Sequence, residues 1–255
     1  MFRGAKILRL LIGYYSDVLL YFAIIKISPL EKEEKNKIFI SLYVPAILLA
    51  IVWMVHLYQY FSGVNLGFLG IMPRKVSGLI GIFTAPLIHG DFNHIISNSI
   101  PLYLTCALMI YSYRGLAYKV FIIVYIGSGL LVWIFARENI HIGASGVVYG
   151  IVGFLFLSGI IRRNINLLGV TFLITFLYGS IFWGILPFDL KVSWESHLFG
   201  ALTGFVCALL FINQGPPPPA DPFEDEEDDD DVNFHQDESP DDPIINYIYK
   251  EKDIN

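Results

Sequence analysis

Between Ile38 and Ile212 the chain is a succession of apolar runs, each about as long as the ~30 Å hydrocarbon core of a bilayer is thick. Lipid offers the backbone no hydrogen-bond partners, so runs of this kind fold as helices that satisfy themselves. The runs read as spans are Ile38–Tyr60, Asn93–Tyr111, Leu116–Ala136, Ser145–Ile161, Leu167–Leu186 and His197–Ile212. Charged residues make up only 16% of the chain, well below the quarter usual in soluble domains, and many of them sit in one tail. The expected fold is therefore all-α: a polytopic membrane protein whose core, residues 38–213, is a bundle of six transmembrane helices.

The two ends read differently. In residues 1–37, Arg3, Lys6 and Arg9 precede an apolar stretch broken by Asp17. A charge near mid-span costs roughly 3 kcal/mol, so this segment is expected to lie on the membrane surface, with an extra span as the alternative. The linker Glu31–Lys37 is expected to be solvated. In residues 214–255, Pro216–Pro219 form an extended spacer, and the all-acidic block Glu224–Asp231 cannot bury itself and is expected to stay disordered. That block supplies much of the net charge of −6; with no basic face elsewhere, nucleic acid is excluded as a partner. Cys106 and Cys207 lie in apolar runs without metal-ligand spacing and read as small hydrophobes.

Short turns make neighbouring spans antiparallel. Lys32, Lys35, Lys37, Arg114, Lys119, Arg162 and Arg163 then gather on one side, which the positive-inside rule makes cytoplasmic, together with the C-terminal tail. The Gly-rich stretch Phe61–Pro86 is too broken to span; it reads as an interfacial excursion that Arg74 and Lys75 could anchor. His89, His94, Asn98, Ser145 and His197 all fall at the starts of spans on the outer side.

Polar groups in a bilayer are expensive and tend to be functional. Ser145 stands between Gly143 and Gly146 where one span begins; His197 opens another that carries Gly200 and Gly204. Small residues let helices approach closely, so packing these two faces would bring a candidate nucleophile to a candidate base. Glu195 is two residues before His197, on another helix face, which favours a dyad over a triad. Tyr149, four residues after Ser145, shares its face and could stack on His197. His94 and Asn98, also four apart, could donate to an oxyanion with the Ser145 N–H. His89 reads as a structural residue of the entry loop. His141 is the rival base, in a loop where a fixed geometry is harder to hold, and His56 reads as hydrogen-bonded at the interface. A solute transporter would place such groups nearer mid-membrane. A non-catalytic binder would tolerate loss of Ser145.

Gly143-x-Ser145-Gly146, His197-x-x-Gly200-x-x-x-Gly204 and His89-x4-His94-x3-Asn98, in this order on these spans, resemble the rhomboid family of intramembrane serine proteases. The resemblance covers Ile38–Ile212. It implies Ser145 as nucleophile, His197 as general base, His94, Asn98 and the Gly146 region around the oxyanion, and Tyr149 packed on the histidine. It implies no cofactor and no metal, with transmembrane proteins as substrates; with no organelle-targeting extension evident, a bacterial inner membrane is the expected setting. The family's Trp-Arg pair in the first loop is absent, with Pro73-Arg74 in its region, as is the glutamate some members carry on the second span. Inactive members lack the serine or the histidine; both are present here, which implies activity.

Overall fold

The computed structural model describes residues 32–177 and 193–215. The expectations for the N-terminal segment, for the end of the span Leu167–Leu186, and for the Pro-rich spacer and acidic tail lie outside these. The chain forms helices α1 (Lys32–Ser62), α2 (Phe92–Tyr113), α3 (Gly115–Phe135), α4 (Ser145–Ile161), α5 (Ile165–Leu177) and α6 (Trp194–Leu210), with no strand among the described residues. α1, α2 and α3 are long and apolar enough to cross a membrane; α4, α5 and α6 are shorter apolar helices.

α1 is already helical at Lys32, the first described residue, ahead of the expected start at Ile38. Residues 32–37 of the expected linker are helical because nothing in them breaks a helix, and Glu33 and Glu34 in the first turn complement the helix dipole. α1 buries Ser41, Pro45, Val52 and His56, while Phe39, Tyr43, Met54 and Tyr58 stay exposed, the pattern of a lipid-facing helix. α2 starts at a true cap: Asp91 Oδ1 accepts the His94 N–H at 2.8 Å.

α4 is the central element. Ile151, Phe154 and Leu155 are all but inaccessible, and Val120 and Val124 of α3, Cys106 and Met109 of α2 and Cys207 of α6 complete the same core. Glycines set its contact with α6. A methyl on Gly200 would overlap the Gly146 carbonyl, and one on Gly204 would overlap the Gly150 carbonyl. The two backbones touch, an approach that only small residues permit.

The stretch between α1 and α2 is a chain of short helical turns folded against α3. Arg74 Nη1 donates to the Ala136 carbonyl at 2.6 Å, and Trp133 Nε1 donates to the Lys75 carbonyl at 2.9 Å. Arg74 thus serves as a cap for the orphan carbonyls at the end of α3, in addition to any hold on headgroups. Phe68, Val76 and Phe83 remain exposed, as suits an interfacial segment. At the opposite end of the bundle Tyr113 donates to Ser158 Oγ at 2.8 Å, and Arg162 Nη2 donates to the Ile212 carbonyl at 3.0 Å.

Candidate active site

The turn into α4 carries the site. Gly143 has φ 106°, a left-handed conformation that favours glycine, and its N–H donates to the Ala85 carbonyl at 2.9 Å. A methyl there would also lie 2.6 Å from His94 Nε2, so this glycine lets the imidazole approach the backbone. Ser145 follows as the first residue of α4. The N–H groups of a first helical turn have no acceptor within the helix and sit at its positive end. Those of Ser145 and Gly146 are such groups.

The glycine contact brings α6 alongside. His197 Nε2 lies 2.8 Å from Ser145 Oγ, and the imidazole is 7% exposed. Tyr149 stacks on the His197 ring with centroids 4.1 Å apart and planes 8° from parallel. A serine in hydrogen-bond contact with a ring nitrogen can pass its proton to that ring while attacking an electrophile, and a stacked aromatic holds the ring in plane.

The other sequence candidates divide. His94 packs edge-on against His89, centroids 4.9 Å apart, beside Gly143. Asn98 Nδ2 donates to the His94 carbonyl at 2.9 Å, a bond within its own helix. His89, 1% exposed, accepts the Ala144 N–H at Nε2 over 3.4 Å. Burial, reinforced by His94, pushes His89 down to about 3, so its ring is neutral and free to accept. Glu195 is occupied elsewhere: Arg137 Nε stands 3.0 Å from its Oε1.

Two expectations change. His141 is not loosely held: it is 2% exposed, its backbone pairs with Ile71, and its ring nitrogens face the Arg137 carbonyl and Ser193 Oγ, not Ser145. His56 is buried edge-on against Phe92, 4.8 Å between centroids, and among the described residues its ring nitrogens find no hydrogen-bond partner. Sequence reasoning missed Arg137, Ser193 and Ser196, which surround the start of α6. Nothing local marks them, because their partners are contributed by distant segments.

A cavity of about 20 Å3, room for a single water, opens beside Gly143 and Gly146 and is lined also by Ser128, His141 and Ser196.

Comparison with known proteins adds the following. The family model described as Rhomboid domain matches residues 76–214. An uncharacterized protein of Mycobacterium bovis is 35% identical over 172 residues, 63% of this chain and 71% of that protein. An uncharacterized protein of Mycobacterium leprae is 30% identical over 174 residues, 64% of this chain and 68% of its own length. The Bacillus subtilis protein called "Putative rhomboid protease YdcA" is 28% identical over 141 residues, 52% of this chain and 67% of that protein.

Proposed function

We propose, on the premise that this chain belongs to the rhomboid family, that it is an intramembrane serine endopeptidase working through Ser145 and His197. The observation that carries the proposal is the 2.8 Å contact between Ser145 Oγ and His197 Nε2, at the mouth of a buried helix. Ser145 attacks the carbonyl of a peptide bond in a substrate's transmembrane segment as His197 takes the hydroxyl proton. The charge that develops on oxygen faces the first-turn N–H groups of α4, with His94 and Asn98 as side-chain donors. His197 returns the proton to the leaving amine, and water, activated by the same ring, resolves the acyl-enzyme.

The core is proposed to cross the membrane six times, α1 to α6 in order, with the Ser145 end outward. The segment that precedes α1 is then membrane-associated, and the acidic tail that follows α6 lies outside the catalytic core. A helical substrate hides its carbonyls in its own hydrogen bonds, so it must unwind before Ser145 reaches one. Segments weakened by Gly or Pro are the favoured class.

The test is labelling with a fluorophosphonate in detergent, together with cleavage of a single-span protein in proteoliposomes. Wild type is expected to label and cleave. Ser145→Ala and His197→Ala are expected to lose cleavage while unfolding near the wild-type temperature. Cleavage surviving in Ser145→Ala removes the nucleophile assignment, and a folded wild type that neither labels nor cleaves removes the activity.

A further inference from the structure

His141 ties together three segments at the Ser145 end of the bundle. Its backbone exchanges two hydrogen bonds with Ile71 of the long loop, each 2.9 Å. Its Nε2 lies 3.1 Å from the Arg137 carbonyl, just beyond α3, and its Nδ1 lies 2.5 Å from Ser193 Oγ, just before α6. Ser193 Oγ in turn lies 2.6 Å from Ser196 Oγ.

The direction of each bond follows from one fact: a carbonyl oxygen only accepts. Nε2 therefore carries the ring proton and donates to Arg137, leaving Nδ1 bare to accept from the Ser193 hydroxyl. Ser193 has then spent its hydrogen and accepts from Ser196. The relay is satisfied throughout when the ring is neutral. Burial favours that form, and Arg137 and Glu195 are the charged groups facing it.

The relay ends beside the site. Ser196 immediately precedes His197, and a methyl on Gly146, the residue after Ser145, would lie 3.1 Å from the Ser196 carbonyl. Glycine packing fixes how closely α4 and α6 approach along their length. It does not fix how the end of α6 is held, and a small shift there would open the Ser145–His197 contact.

Resting on the protease reading above, we propose that His141 is a positioning residue. Acting through Ser193 and Ser196, it pins the start of α6 so that His197 Nε2 reaches Ser145 Oγ. His141 touches neither reacting atom. It acts by holding the loop that leads to Ser145 and the helix that carries His197 in one register.

Ser193→Ala cuts the relay while leaving the His141 backbone pairing and its bond to Arg137. Ser193→Thr keeps the hydroxyl. Both are compared with wild type in detergent micelles by fluorophosphonate labelling rate, by kcat and KM on a single-span substrate, and by 15N NMR of the histidine rings. Ser193→Ala is expected to label and turn over roughly tenfold more slowly with KM nearly unchanged, the effect of a misplaced base. The His197 ring signals should shift, and Ser193→Thr should recover most of the rate.

A Ser193→Ala protein with wild-type rates and unmoved His197 signals overturns the pin. So does a loss of rate that Ser193→Thr shares. If wild type does not label but Ser193→Ala still shifts the His197 signals, the pin stands and the protease reading falls. If neither occurs, both fall.

Discussion

Surroundings can fix an imidazole's orientation or its protonation state, and His197 and His89 show one each. His197 is held face to face by Tyr149 at 4.1 Å. Stacking of this kind is worth about 0.5–1.5 kcal/mol beyond the area buried, so Tyr149→Ala should slow labelling of Ser145 roughly tenfold. Labelling at the wild-type rate would make Tyr149 mere filler. His89 is held by burial, at about 3 against the ordinary 6.5. Between those values the unfolded chain binds a proton that the folded one refuses. Stability must therefore fall as pH drops through that window. At pH 5 the His89 contribution should be lower than at pH 7.5 by about 2 kcal/mol. Thermal unfolding at the two pH values would measure this, and His89→Gln, which can still accept the Ala144 N–H, should flatten the dependence. Of these residues, the sequence displayed the periodic ones. Ser145 and Tyr149 share a face by counting, and His94 and Asn98 do likewise. The partners of His141 and Glu195 were not legible, because the Ile71 pairing and the Arg137 ion pair join segments far apart in the chain. Local periodicity carries no record of such contacts.

Among the elements, the α4–α6 pair is where sequence and structure lie closest. The apolar run drawn as Ser145–Ile161 is α4 residue for residue, since a Gly-Ala-Ser turn and an Arg-Arg pair mark its ends. The helical state of residues 32–37 was hidden because helix and solvated linker share a charged composition; Glu33 and Glu34, with their preference for the positive end of a helix, are the only hint of it. The glycine face yields a paired prediction. Gly204→Ala forces a methyl into the Gly150 carbonyl and should cost about 2–4 kcal/mol, along with most of the activity, because the helices must separate. Gly169→Ala, at an exposed position of α5 with nothing within 4 Å, should be neutral or add up to about 1 kcal/mol through helix propensity. Unfolding temperatures in one detergent decide both. Equal effects would mean that glycine content, not helix contact, sets stability.

Across the described core, side-chain and backbone contacts sort the helix ends into two groups without reference to any membrane. One end gathers the Glu33–Arg114 ion pair, the Tyr113–Ser158 bond and the Arg162 bond to the carbonyl of Ile212. The other gathers the Ile71–His141 pairing, the His141–Ser193 contact and the Ser145–His197 contact. Sidedness is thus reduced to one binary choice, and the proposed outward site rests on Lys32, Lys35, Lys37, Lys119 and Arg163 at the first end, which the positive-inside rule assigns to the cytoplasm. Cysteine accessibility in intact cells tests it directly. The native Cys106 and Cys207 are buried, so background labelling by a membrane-impermeant maleimide should be low. Val64→Cys, exposed just after α1, should label in intact cells, while Asn36→Cys, exposed near its start, should label only after permeabilisation. The reverse pattern would turn the molecule over. Ser145 would then meet its substrates from the cytoplasmic leaflet, with water reaching it from that side, and an outward-facing protease would be excluded while the helix packing and the Ser145–His197 contact stood unchanged.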